Sequence, residues 1–177
     1  MPQEMEDAVR ESNRIRVWRL ITHHEDKEGA LFWTRQQGRI AIGWGRIGNM
    51  RDLKYSSADE ITEAIKTKYS LFPNPHLGGA SLWNFYTVIE KQDLVILSAR
   101  KPRELVVEVE GDYEWRGPTI EANDAPRGGD YWHQRRIRLR RDLDPEQLCR
   151  KAGGAATGQN IHQTLIECAQ SVDREDI

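Results

Sequence analysis

Polar and apolar residues alternate over residues 14–22 (RIRVWRLIT). Ile15 and Val17 fall on one side and Arg14, Arg16 and Trp18 on the other, the two-residue period of a strand with one buried face. The same period returns at Arg39–Ile42, where Ile40 and Ile42 alternate with other residues, and over 131–141 (YWHQRRIRLRR). In that last stretch Ile137 and Leu139 point in and Arg136, Arg138 and Arg140 point out. Leu94–Leu97 is a continuous apolar run, which suits a strand covered on both faces. Leu105–Val109 is a further strand, ending at Gly111-Asp112 and carried on by Tyr113-Glu114-Trp115.

Between these strands the period lengthens. Ser57 with Glu60 three residues later is a capping-box signature, and Ile61, Ala64, Ile65 and Lys68 then share one face of a helix that runs to Tyr69. Phe72-Pro73-Asn74-Pro75 stops it, Gly78-Gly79 predicts a turn, and Ser81 caps a second short helix over 82–89. A polar loop, 23–29, precedes a short helix over 30–37, and residues 117–130, rich in Gly, Pro, Asn and Asp, predict a long loop. Asp144 followed by Pro145 opens a helix, residues 152–158 are a flexible tract, and Ile161, Leu165, Cys168 and Ala169 mark an amphipathic helix over 159–172. The expected organisation is a leader (1–12), one domain (13–142) and a helical appendage (143–177). Its class is α+β, and a small sheet with scattered helices closes best as a barrel.

Composition narrows the setting. A chain of 177 residues can bury a core without a disulfide or metal staple, and its two cysteines, Cys149 and Cys168, fit no pairing motif, so they read as thiols of a reducing compartment. No apolar run reaches the roughly 18 residues of a membrane span, and the acidic start has no signal-peptide core. The expectation is a cytoplasmic protein without a membrane partner. Net charge is −2, which alone argues against a strong polyanion binder. The distribution is uneven: residues 1–9 hold three acids and no base, residues 142–177 seven acids and three bases, and the middle 23 bases against 18 acids. A basic middle is what a phosphate backbone requires; a mixed solvated surface has the same composition.

Catalytic motifs do not emerge. Gly78-Gly79 and Gly128-Gly129 lack the lysine of a phosphate loop, and no Gly-x-Ser-x-Gly elbow is present. His23-His24 fits no common zinc spacing. Glu108, Glu110, Asp112 and Glu114 alternate on one face, where they form either a cation site or a solvated row. No catalytic residue, metal ligand or cofactor is assigned. The outlier is tryptophan: Trp18, Trp33, Trp44, Trp83, Trp115 and Trp132 all lie in the basic middle. Gly43-Trp44-Gly45 breaks a strand with a large ring between two residues that lack side chains, an arrangement that either plugs a barrel or presents a flat surface to a planar ligand. Trp44, Trp83, Trp115 and Trp132 stand at element ends near Arg46, Asn84, Arg116, His133 and Arg135, and rings of this kind can sandwich a base.

Several of these segments carry a family resemblance. The succession Ile40-Ala41-Ile42-Gly43-Trp44-Gly45, LWNFY (82–86), QDLVILSAR (92–100), VVEVEGDYEW (106–115) and WHQRRIRL (132–139), over roughly residues 14–141, resembles the N-terminal domain of predicted modification-dependent restriction endonucleases. That domain is grouped with the PUA-like superfamily, beside EVE, YTH and ASCH domains. Gln92-Asp93 and Gly48-Asn49 depart from the usual Gly-Asp pairs and alter turn chemistry rather than aromatics. The resemblance implies a five- or six-stranded PUA-like barrel with an aromatic cage for a modified or flipped base. It also implies that cleavage belongs to a separate nuclease domain or partner. On this reading Trp44 and Trp83 stack on the base, Trp115 or Trp132 closes a third wall, and Asn84 reads the base edge. Gly45, Tyr113, Trp18 and Trp33 complete the expected pocket, while Arg19, Arg46, Arg135, Arg136 and Arg138 hold phosphates. Modified DNA is the favoured partner and RNA the second. Two other classes stay open: an interaction or nucleotide-sensing module using the acidic tail, and an enzyme working through Glu108, Glu110 and Asp112.

Overall fold

Six strands lie side by side in a curled half-barrel sheet, with five α-helices among the described residues. The structure is a computed structural model and describes residues 13–71, 73–98, 103–118, 125–154 and 163–177. In chain order the elements are β1 (Arg14–Ile15), β2 (Val17–Ile21), α1 (Lys27–Gln37), β3 (Arg39–Ile42), α2 (Met50–Leu53), α3 (Ala58–Lys68) and α4 (Pro75–Trp83). They continue with β4 (Leu94–Ser98), β5 (Leu105–Val109), β6 (Glu114–Trp115), β7 (His133–Leu139), α5 (Pro145–Lys151), β8 (Leu165–Glu167) and β9 (Val172–Asp173). The sheet order is β3-β7-β5-β4-β2-β8, with β6 adding to β7 and β1 pairing β9 in a separate ribbon. Among the described residues only the β2–β4 pair is parallel; the other pairs are antiparallel. No helix among the described residues is long and apolar enough to cross a membrane.

The apolar run of β4 is explained by two cores, one on each side of the sheet. Val95 and Leu97 enter the larger core with Trp18, Ile42, Ile65 and Phe85, while Leu94 and Ile96 enter a smaller one with Val17, Leu148 and Cys149. Alternation therefore holds in β4, but both faces are covered, so no polar face is needed. The same holds at Trp18, expected on the outer side of its strand: it opposes Val17 and is itself buried in the larger core.

Four expectations change. The polar stretch before residue 30 is not all loop: Asp26 accepts from the Gly29 amide at 2.9 Å and caps a helix that starts at Lys27, and Gly38 closes it in the left-handed conformation. Gly78-Gly79 makes no turn but lies inside α4, where the absence of side chains lets the helix sit close to α3. A Cβ on Gly79 would come within 2.0 Å of Thr62 Oγ1 and 2.7 Å of the Ala58 carbonyl. The helix expected over 82–89 is the last turn of α4 followed by a π-turn, 84–88. Ser81, its expected cap, donates to the Leu77 carbonyl and accepts from the Leu165 amide at 3.2 Å. The fourth change concerns the tail. Residues 163–172 form strand β8 and its return, not an amphipathic helix: Leu165 and Ile166 are consecutive buried positions, and β8 supplies partners to the otherwise open edge of β2. The leader and most of the 152–158 tract lie outside the described residues.

Candidate functional site

The turn after β3 holds its central residue in a conformation that side chains rarely adopt. Trp44 has φ 63° and ψ 27°, the left-handed region, which costs a bulky residue on the order of 1–2 kcal/mol. The surroundings impose it. Gly45 donates to the Asp130 carbonyl at 2.9 Å, and the Trp44 carbonyl accepts from His133 Nε2 at 3.2 Å. The indole packs on α4, where a Cβ at Gly78 would come within 2.9 Å of it, and the residue is 7% exposed. Of the two arrangements open for this residue, the ring sits as the plug.

Behind the turn runs a buried chain of hydrogen bonds. The Met50 amide donates to the Tyr113 hydroxyl at 3.2 Å, and that hydroxyl lies 2.6 Å from His133 Nδ1. Nε2 can donate to the Trp44 carbonyl only if it carries the imidazole proton, so Nδ1 accepts from Tyr113. Burial holds His133 neutral, pushing its pKa down from 6.5 to about 4. The whole chain therefore has one direction, from Met50 to Trp44.

Two indoles stand on the solvent side. Trp132 lies across Gly45 and Gly117; a Cβ on either would meet it, at 2.7 Å and 2.1 Å. Trp115 meets Trp132 edge-on, with centroids 6.2 Å apart and planes at 85°, and its Nε1 donates to the Gly45 carbonyl at 3.1 Å. Both are half-buried. Arg46, the residue after Gly45, is exposed; its guanidinium lies over the Tyr69 ring at 4.4 Å and 3.4 Å from Asp130. The Tyr69 hydroxyl donates to Asp130, and burial pushes its pKa well above the usual phenol value.

The other expected site residues are scattered. Trp18 is fully buried and donates to Asp93 at 2.9 Å, and Trp33 packs with Ala41 and Tyr131. Trp83 and Asn84 are half-buried at the end of α4. Tyr113 is 2% exposed and serves the turn from behind. Arg135, expected at phosphates, points inward. Its guanidinium donates to the carbonyls of Phe85 (2.8 Å), Tyr86 (3.1 Å) and Gly111 (3.2 Å), two of which belong to the π-turn. Arg19 is half-buried on β2, between β4 and β8. Arg136 and Arg138 are exposed but face acids: Glu114 lies 3.8 Å from Arg136, and Glu108 lies 2.9 Å from Arg138. Arg140 also reaches Glu108 at 2.9 Å and Arg39 reaches Glu114 at 2.9 Å. The acidic row is thus one side of a cross-strand ion-pair ladder, and Asp112 pairs with Lys91. No group of three metal-ligating side chains stands together among the described residues.

Two contributors were not legible beforehand. Asp130 and Tyr69 come from the long loop and the end of α3, and nothing local links them to residue 46. A family model described as a domain of unknown function (DUF8426) matches residues 18–158, from β2 past α5 and including the whole turn. A search of curated proteins finds no match.

Proposed function

The chain belongs to the DUF8426 family, and we propose that it is a non-catalytic, PUA-like nucleic-acid-binding module that reads a modified or flipped base beside the Gly43–Gly45 turn. One observation carries this reading: the half-exposed Trp115–Trp132 pair stands at right angles on a braced turn, with Arg46 following Gly45, whose carbonyl Trp115 holds. Two perpendicular rings form a floor and a wall for a flat heterocycle. Each base stacked on an aromatic ring is worth about 1–3 kcal/mol. In this reading Trp44 positions the turn through its buried ring and does not touch the base. Arg46 and Arg136 hold backbone phosphates, Arg46 exchanging its Asp130 contact for one to the ligand. Cleavage is the work of a nuclease partner, as the family resemblance implies. Modified DNA is the favoured ligand.

The test is a salt series of anisotropy titrations with methylated and unmodified DNA duplexes and with RNA of the same sequence. Preferential binding of a modified duplex is expected, weakened roughly tenfold or more by Trp132→Ala and by Trp115→Ala. Equal and negligible binding of every oligonucleotide at low salt would overturn it.

A further inference from the structure

A second concave region lies on α1, away from the indole pair. Gly29, Phe32, Trp33, Gln36 and Gln37 of α1 and its capping residue Asp26 line a cleft of about 460 Å³ together with Ala125 and Arg127. The spacing is helical: positions 29, 32, 33, 36 and 37 share one face. That face would ordinarily be packed or fully charged. Here Trp33 turns into the core, while the rest of the face holds an aromatic ring that is 63% exposed, two carboxamides and a glycine against whose bare Cα the Asp26 carboxylate folds.

Beside the cleft is a buried donor without an acceptor. His23 is 2% exposed. Its Nδ1 accepts from the amides of Glu25 (3.0 Å) and Asp26 (2.8 Å), so the imidazole proton sits on Nε2. Nε2 has no hydrogen-bond partner among the described residues. The ring is stacked on Tyr131, centroids 4.4 Å apart, and Nε2 faces Gly128, the residue after Arg127. Buried N–H groups without an acceptor are rare in folded proteins.

We propose that this cleft is a nucleotide-binding subsite for a planar heteroaromatic ring carrying an anionic group: a nucleoside monophosphate, free or within a single strand. Phe32 supplies the stacking face. Gln36 and Gln37 each offer a donor and an acceptor to a base edge. Arg127 supplies the cation for the phosphate, and His23, hydrogen-bonded through Nδ1 to the Asp26 amide, holds the end of the cleft from behind with a spare Nε2–H. The volume lies within the range of small-molecule sites. This subsite does not rest on the reading given to the Trp115–Trp132 pair.

The experiment is calorimetric titration of the full chain with AMP, GMP, CMP and UMP, and in parallel with single-stranded DNA ten-mers of each base. At least one mononucleotide or ten-mer is expected to bind. Phe32→Ala and Arg127→Gln, both at exposed positions and so compatible with folding, should each weaken that binding by about tenfold or more. Binding of ten-mers alone, still sensitive to Phe32→Ala, assigns the cleft to a nucleotide within a strand; binding of mononucleotides assigns it to a free nucleotide. The proposal is overturned by no binding of any probe, or by binding that both cleft variants leave as it was.

Discussion

His133 has an imidazole fully inside the protein, and its protonation state is coupled to folding. In the unfolded chain it titrates near 6.5; burial lowers the folded value to about 4. Between those values the unfolded chain binds more protons than the folded one, so the His133 contribution is complete above pH 6.5 and is lost as pH falls. The loss approaches about 3 kcal/mol at the low end. Asp93, raised by burial, acts with opposite sign nearer the carboxylate range, so the informative comparison is pH 7 against pH 5. Urea unfolding at these two values should show a clear decline for the wild type and a shallower one for His133→Gln. At Trp18 the expectation is simpler. Trp18→Phe removes a buried donor from Asp93 and should cost about 1–3 kcal/mol in the same assay. Single residues are unevenly legible in the sequence. Trp44 stood out, but whether its ring faces a ligand or the core depends on Gly78, thirty-four positions away. Arg135, expected at phosphates with Arg136 and Arg138, lies on the other face: two-residue alternation puts it on the side of Ile137, whereas Arg136 and Arg138 lie opposite.

Elements built from local signals largely match expectation, the start of α1 at Lys27 excepted. The Ser57 cap is made, with the Glu60 amide donating to it at 3.3 Å, and the β4 run is a strand buried on both faces. Elements that depend on a neighbour did not match. Two adjacent glycines are turn residues by composition, and nothing nearby says that α3 will press against them. The consequence is measurable. Helix propensity alone would make Gly79→Ala stabilising by about 1 kcal/mol, yet the new methyl would meet both Thr62 and the α3 backbone. Overpacking of this kind costs typically 1–3 kcal/mol, so thermal unfolding should show a net decrease in Tm. An unchanged or raised Tm would mean that the two helices separate more easily than their contact suggests.

At the scale of the whole molecule, the sheet order places the turn and the tail at opposite edges. The Gly43–Gly45 turn follows β3 at one end, while β8 closes the other. Periodicity could not reveal this, because an isolated Leu165-Ile166 pair reads equally as a helix face; only the unpaired edge of β2, more than a hundred residues earlier, decides for a strand. β8 also lies beyond the span that the family shares, so it can stabilise this chain without belonging to the candidate site. Leu165 separates the two roles. Its side chain is fully buried in the larger core, and its amide donates to Ser81 on α4. Leu165→Ala should cost about 2–5 kcal/mol and lower Tm visibly. Oligonucleotide titrations carried out well below the transition should then keep their midpoint, because the four strands between β8 and β3 remain in place. A loss of binding in step with stability would show instead that the two edges are coupled through the sheet.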